Sequence, residues 1–177
     1  MRERVQSLSR LFKYEFTFRV GLSFDAIFDD LLGELGDAGE ISVRNDRVAS
    51  GPGHDDLSGA AWLGFYASVL RNFLESYRIA ARSLRLLLRG PMTPRDLSAR
   101  ALRVGERMFI EGDIERAEAV SRPMIDNAFA AFRDQGYVAR EGKELTLSPS
   151  FASEEAVGAA EARVADFLRH RGEAAEW

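Results

Sequence analysis

The sequence of 177 residues contains no cysteine, only two histidines and only two lysines. Without cysteine the chain has no disulfide bond, no thiolate ligand for zinc and no cysteine nucleophile. His54 and His170 are too few for a histidine-rich metal cage, so we predict neither a metal site nor a cofactor. Because Lys13 and Lys143 are the only lysines, arginine supplies the other 22 of the 24 basic residues.

Long apolar runs and a positive net charge are absent as well. The leucines at 86–88 are typical of the longest apolar runs, which are far too short to span a membrane. The first residues, MRERVQSLSRLFKYEF, lack the apolar core of a secretory signal peptide. A net charge of -4 and a pI near 5.3 argue against a protein whose whole surface binds nucleic acid. We therefore predict a cytoplasmic protein and leave open peripheral contact with the inner membrane.

Hydrophobic periodicity predicts a mainly α fold with two short β-hairpins. Amphipathic helices are expected at 3–16 and 24–35, followed by a hairpin at 41–48. Further helices are expected from the Thr93-Pro94 start, from Ser121 and from Ser153, with a second hairpin at 137–147. The predicted architecture is a multi-helix bundle around one long central helix. Its segments are 1–56, 57–90 and 91–177, joined in one compact domain that is a fragment of a longer chain.

The segment 57–90 is the most strongly patterned part of the chain and predicts one long helix with two different faces. One face is aromatic and apolar, and it is expected to form core or an interface for a missing domain. Its members are Trp62, Phe65, Tyr66, Val69, Phe73, Tyr77, Ala80, Leu84 and Leu87. The opposite side, which we call the arginine face, consists of Arg71, Arg78, Arg82, Arg85 and Arg89. It is either a solvated surface neutralised by Glu75 and neighbouring carboxylates, or a contact for phosphate, phospholipid or an acidic partner.

The second half of the chain resembles a winged-helix unit, with a helix at 122–135 followed by the hairpin. Recognition helices that read DNA are usually basic and polar on their exposed side. Here the helix combines Arg122 and Arg133 with Asp126 and Asp134. The winged-helix shape is therefore expected as a packing unit, and nucleic acid is not an expected partner.

Motifs for known catalytic chemistry are missing from the sequence. The segment GLSFD (21–25) lacks the closing glycine of a hydrolase elbow, and GPGHDD (51–56) lacks the second half of a phosphate loop. His54, beside Asp55 and Asp56, is interpreted as a solvated loop histidine, and His170 as a favourable charge at a helix C-terminus. No catalytic residue is predicted.

Three segments carry a resemblance to a known family. They are FKYEFTFRVGLSFDAIFDDLLGELGDAGEI (12–41), FYASVLRNFLESYRIAARSLRLLLRG (65–90) and GERMFIEGDIERAEAVSRPMIDNAFAAFRDQGYV (105–138). In order and spacing they resemble the C-terminal region of bacterial PlsB-like glycerol-3-phosphate acyltransferases over roughly residues 5–150.

The resemblance implies an accessory part of an enzyme that transfers an acyl chain to glycerol 3-phosphate or a lysophospholipid. The family's catalysis depends on a His-x4-Asp motif, in which the histidine is the general base. Five residues after His54 stands Gly59, and five after His170 stands Ala175, so this chain lacks the motif. The chain alone should be inactive, whereas its parent would be an O-acyltransferase of phospholipid biosynthesis. The implied partner is the acyltransferase catalytic domain, either upstream in the same chain or a separate subunit.

Two other functions stay open at the level of sequence. One is a winged-helix regulator or protein-interaction module, which predicts salt-sensitive binding to duplex DNA. The other is an independent enzyme built around His54, which predicts activity that is lost in His54→Ala.

Overall fold

A computed structural model describes residues 1–16, 21–45 and 47–169. This part of the chain forms six α-helices and two antiparallel hairpins, so the predicted mainly α fold is confirmed. The helices are α1 (Arg2–Leu11), α2 (Phe24–Asp37), α3 (Gly59–Ser83), α4 (Pro94–Ile110), α5 (Arg122–Asp134) and α6 (Glu154–Leu168). The hairpins pair β1 (Ile41–Arg44) with β2 (Arg47–Ser50), and β3 (Val138–Glu141) with β4 (Glu144–Leu147).

The chain divides into two compact units, and boundaries between them fall inside α1 and inside α3. Unit 1 includes the described residues 1–6, 21–45 and 47–70, and unit 2 includes residues 7–16 and 71–169. The sequence placed its segment boundaries at the two ends of the long helix instead. The expectation of one compact domain stays a prediction.

Unit 1 contains α2, the first hairpin and the first half of α3. The helix α2 begins as predicted, because the Ser23 hydroxyl accepts a hydrogen bond from the Ala26 amide at 3.2 Å. The buried apolar side chains of unit 1 among the described residues are Phe28 of α2 and Ile41 of β1. The backbone is tightly folded after the hairpin: a Cβ at Gly53 would lie 1.8 Å from the Leu57 carbonyl oxygen. Gly53 also has a φ of 91°, so this position requires glycine.

Unit 2 contains the second half of α3 together with α4, α5, the second hairpin and α6. Its largest completely buried apolar side chains are Tyr77, Ile79, Leu84, Leu97, Met108, Ile125 and Phe132. Met92 exchanges backbone hydrogen bonds with Leu145 at 3.1 and 2.7 Å, which places a short extended segment beside β4. The order of elements from Met92 through α4, α5, β3 and β4 is that of a winged-helix unit, as predicted.

Two helix boundaries differ from the predictions. The first helix was expected to reach residue 16, but α1 ends at Leu11 and a turn follows. Phe12 is buried there, with its ring 5.1 Å from that of Tyr77, so aromatic packing overrides local helical periodicity. The long helix begins at Gly59 and continues after Ser83 as a 3-10 helix, Leu84–Arg89. Tightening of this kind is common at helix ends.

The length and hydropathy of a helix decide whether it can cross a membrane. Among the described residues, none of the helices combines the length and the apolar character that crossing a bilayer requires.

Candidate functional site

The arginine face of α3 and the following 3-10 helix lies in unit 2, where most of its members are paired with carboxylates. Arg71 is bonded to two carboxylates, at 3.2 Å from Glu75 Oε1 and at 2.8 Å from Glu115 Oε2. Glu75 is almost completely buried and also accepts hydrogen bonds from the backbone amides of Glu115 and Arg116, at 3.1 and 2.9 Å. Glu75 thereby fixes the loop after α4 to the second half of α3.

Further along the same face, Glu161 of α6 forms ion pairs with three arginines, of which Arg78 is the most distant at 3.7 Å. Its Oε1 atom accepts a hydrogen bond from Arg82 Nε at 2.8 Å, and its Oε2 atom accepts one from Arg85 Nη1 at 2.6 Å. Arg82 also pairs with Asp113, and Arg78 donates to the Asp113 carbonyl oxygen. We call Arg78, Arg82, Arg85, Asp113 and Glu161 the ion-pair network.

The network shifts the titration of its carboxyl groups. Burial alone would raise the pKa of Glu161, but the hydrogen bonds from Arg82 and Arg85 outweigh it and the pKa is lowered. The hydrogen bond from Arg82 is the main cause of the lowered pKa of Asp113. Both carboxylates are therefore charged at neutral pH and compensate the arginines beside them.

These contacts bear directly on the predicted role of the five arginines. Glu75 neutralises part of the arginine face, as one interpretation expected, and so do carboxylates of α6 and of the loop after α4. A lipid phosphate at Arg78, Arg82 or Arg85 would have to compete with Asp113 and Glu161. Arg89 is exposed. Contact between this face and phosphate stays a prediction.

His54 of unit 1 lies in a polar cluster and is not the freely solvated histidine that the sequence suggested. Only a third of its side chain is exposed, and the ring stacks on Trp62 with the centroids 4.6 Å apart. Its Nε2 atom is 2.9 Å from Glu40 Oε1, and its Nδ1 atom is 3.0 Å from Asp55 Oδ2. The Tyr66 hydroxyl donates to the same Glu40 oxygen at 2.8 Å. We call these residues the His54 cluster.

The His54 cluster favours a charged, fixed imidazolium. The hydrogen bond to Glu40, with a further one to Asp55, raises the pKa of His54, and the bond to His54 lowers the pKa of Glu40. Since both ring nitrogens face carboxylates, neither is free to take a proton from a substrate, as a general base must. Within the described residues, no group of three or more acidic, histidine or cysteine side chains could hold a metal ion. The second histidine, His170, lies outside the described residues.

The first half of α3 presents an apolar surface that unit 1 does not cover. Phe65 is 57% exposed and Val69 is 49% exposed, and Tyr66 beside them is exposed as well. We call these three residues the α3 patch. By contrast, Tyr77, Ala80, Leu84 and Leu87 of the same predicted face are buried in unit 2. Tyr77, Ala80, Leu84 and Leu87 are therefore core, as one alternative predicted, whereas the α3 patch is not core and the alternative of an interface stays a prediction for it.

Comparison with known proteins gives one family. The family model described as the glycerol-3-phosphate acyltransferase C-terminal region matches residues 1–141. A search of curated proteins found no match.

Proposed function

The chain belongs to the glycerol-3-phosphate acyltransferase C-terminal region family, and from this premise we propose that it is a non-catalytic accessory region of such an enzyme. In this function it packs on the acyltransferase catalytic domain and supports acyl transfer in phospholipid synthesis from the cytoplasmic side. The proposal is supported by the α3 patch, because large exposed apolar side chains grouped on one helix commonly mark protein interfaces. It is also supported by the missing His-x4-Asp motif.

The experiment introduces a charge into the α3 patch of the native polypeptide. Phe65→Glu should lower glycerol-3-phosphate acyltransferase activity and weaken association with the catalytic domain, because a desolvated carboxylate at an apolar interface is unfavourable. Ala67→Glu is the matched control, since Ala67 is exposed on the same helix, about 160° around the axis from Val69. Equal activity of both variants and wild type would remove the α3 patch from the proposal.

A second measurement tests the non-catalytic part of the proposal. The purified 177-residue chain should transfer no acyl group to glycerol 3-phosphate, with acyl-carrier or acyl-coenzyme A donors. Transfer by this chain that disappears in His54→Ala would replace the accessory function with an independent enzyme.

Lipid contact by the arginine face is the finer part of the proposal. Binding to vesicles that contain phosphatidylglycerol is measured for wild type and for Arg89→Gln, because Arg89 is the exposed member of the face. Weaker binding of the variant would support peripheral contact with an anionic membrane. Equal binding would leave Arg71, Arg78, Arg82 and Arg85 as structural ion-pair partners only.

A further inference from the structure

A second group of arginines lines a cleft in unit 2 that is separate from the arginine face. The cleft has a volume of about 180 Å³ and lies between the start of α4, the helix α5 and the second hairpin. Arg95 comes from α4, Arg122 and Arg133 from α5, and Arg140 from β3. The buried rings and chains of Phe129 and Leu145 also line it.

The charge of the cleft is not balanced by the residues that line it. Asp126 is the single carboxylate among the lining residues, against four guanidinium groups. Of these four arginines, only Arg122 forms an ion pair with another described residue, at 3.8 Å from Asp126. Arg140 donates to the Gly142 carbonyl oxygen at 3.1 Å. Each arginine of the ion-pair network meets a carboxylate. In the cleft, by contrast, four arginines share one lining carboxylate, so compensation within the lining is only partial.

Four cationic side chains that line one cleft repel one another, and an anion bound among them would offset this repulsion. The guanidinium group offers planar, bidentate hydrogen bonds that match the oxygens of a phosphate. All four arginines are exposed to solvent, and Phe129 and Leu145 add an apolar part to the lining beside them. These features together favour a ligand with a compact double negative charge.

The volume restricts the ligand further. Pockets for drug-sized molecules usually measure about 300–1,000 Å³. A cleft of about 180 Å³ suits a phosphate group with a short organic substituent, and a nucleotide would extend beyond it.

We infer that this cleft binds the phosphate group of a phosphomonoester through Arg95, Arg122, Arg133 and Arg140. The phosphomonoester is either a free small molecule or the headgroup of a lipid. Asp126 sets the affinity: its carboxylate, held by the Ser98 hydroxyl, lies at the wall of the cleft and opposes the incoming anion. The site does not depend on the accessory function proposed above, since neither the α3 patch nor the catalytic domain contributes to it.

The test is a titration of the 177-residue chain with inorganic phosphate and with glycerol 3-phosphate at low ionic strength, followed by ³¹P NMR line width. The variant Arg133→Gln/Arg140→Gln should weaken binding by about tenfold or more, because it removes two charge-assisted contacts. The control Arg100→Gln/Arg107→Gln removes the same charge from exposed positions of α4 outside the cleft, and its affinity should equal that of wild type. Circular dichroism confirms that each variant is folded.

The variant Asp126→Asn tests whether the lining residues of the cleft bind phosphate or only stabilise the fold. The amide keeps a polar group opposite Ser98 but removes the negative charge, so phosphate affinity should increase several-fold. Loss of a merely structural contact would not tighten binding. Unchanged or weaker phosphate binding in Asp126→Asn would overturn the proposal, as would equal losses in the two double-arginine variants.

Two further arms identify the source of the phosphate group. Binding to vesicles of phosphatidylcholine with phosphatidic acid, lost in Arg133→Gln/Arg140→Gln, would support a lipid headgroup. Binding of the free phosphates without vesicle binding would support a small soluble ester.

A 20-base-pair DNA duplex is the third probe, because the cleft lies in a winged-helix unit. Duplex binding that depends on these arginines, with no binding of phosphate or vesicles, would overturn the proposal in favour of a nucleic-acid interface.

Discussion

The two halves of α3 continue one apolar face and have opposite surroundings. Phe65 in the first half is 57% exposed, whereas Tyr77 in the second half is completely buried. Both belong to the same apolar face by helical periodicity. The comparison teaches that periodicity specifies which side chains share a face, whereas burial depends on what packs against that face.

The second half is covered by residues from distant parts of the chain within unit 2. Phe12 and Phe132 both pack their rings against Tyr77, with centroids 5.1 and 6.2 Å away. Carboxylates from α6 and from the loop after α4 then compensate the arginines on its other side. In the first half, Phe65 contacts its helical neighbours Trp62 and Tyr66, and its outer surface stays exposed. The contrast between the halves is therefore a contrast between a buried core and an exposed apolar surface.

Truncating one aromatic ring in each half is expected to give the largest difference. Tyr77→Ala should lower the free energy of unfolding by about 3–5 kcal/mol, because it leaves a cavity in a packed core. Phe65→Ala should change it by less than about 0.5 kcal/mol, since its ring is mostly in water. Urea unfolding followed by circular dichroism measures both. Similar losses in the two variants would contradict the assignment of Tyr77 to the core and of Phe65 to the exposed surface.

Removing a carboxylate from the ion-pair network is expected to have an intermediate effect. Glu161→Gln keeps the shape of the side chain but leaves Arg82 and Arg85 with a neutral partner. We expect a loss of about 1–2 kcal/mol, reduced from a fully buried pair because the arginines are partly exposed. Glu155→Gln on the same helix is the control, since Glu155 is exposed, and should stay within about 0.5 kcal/mol of wild type. A loss of equal size in the control would show that only the charge of α6 matters.

Much of this fold is predictable from local sequence signals. Thr93 and Ser153 cap α4 and α6, accepting hydrogen bonds from the Asp96 and Ala156 amides, as their positions before apolar-periodic segments predict. The turn glycine Gly142 similarly marks the second hairpin. Such signals act within a few residues, so one sequence is enough to find them.

The candidate sites are less predictable because their residues are far apart in the sequence. Helical spacing identified Arg82, but not its partners Asp113 and Glu161, which are 31 and 79 residues away. The arginine-lined cleft was missed for the same reason. On the helix at 122–135 alone, two arginines are balanced by two aspartates, whereas Arg95 and Arg140 come beside it only through the fold.

Lowering the pH should remove the stability that the ion-pair network contributes to unit 2. Since the pKa values of Glu161 and Asp113 are lower folded than unfolded, the unfolded state binds protons first as pH falls. Their contribution to stability is therefore complete above the ordinary values of 4.5 and 3.8 and is lost as pH falls through the lowered values. Urea unfolding at a series of pH values from about 6 to about 3 should show a weaker acid dependence for Glu161→Gln than for wild type. The same slope in both would contradict a stabilising role for these pairs.

The smallest expected effect is local to the His54 cluster in unit 1. Protonation of His54 changes the charge stacked on Trp62, so the fluorescence of Trp62 should report its titration in a Trp177→Phe background. The raised pKa predicts a midpoint above the ordinary histidine value of 6.5, and the charged pair contributes stability below that value, which is lost as pH rises through the midpoint. Glu40→Gln removes the main cause of the shift and should lower the midpoint, whereas Asp37→Asn, at an exposed position at the end of α2, should leave it unchanged. A midpoint at or below 6.5 in the parent protein would mean that Glu40 does not hold a charged imidazolium, and would reopen His54 as a free base.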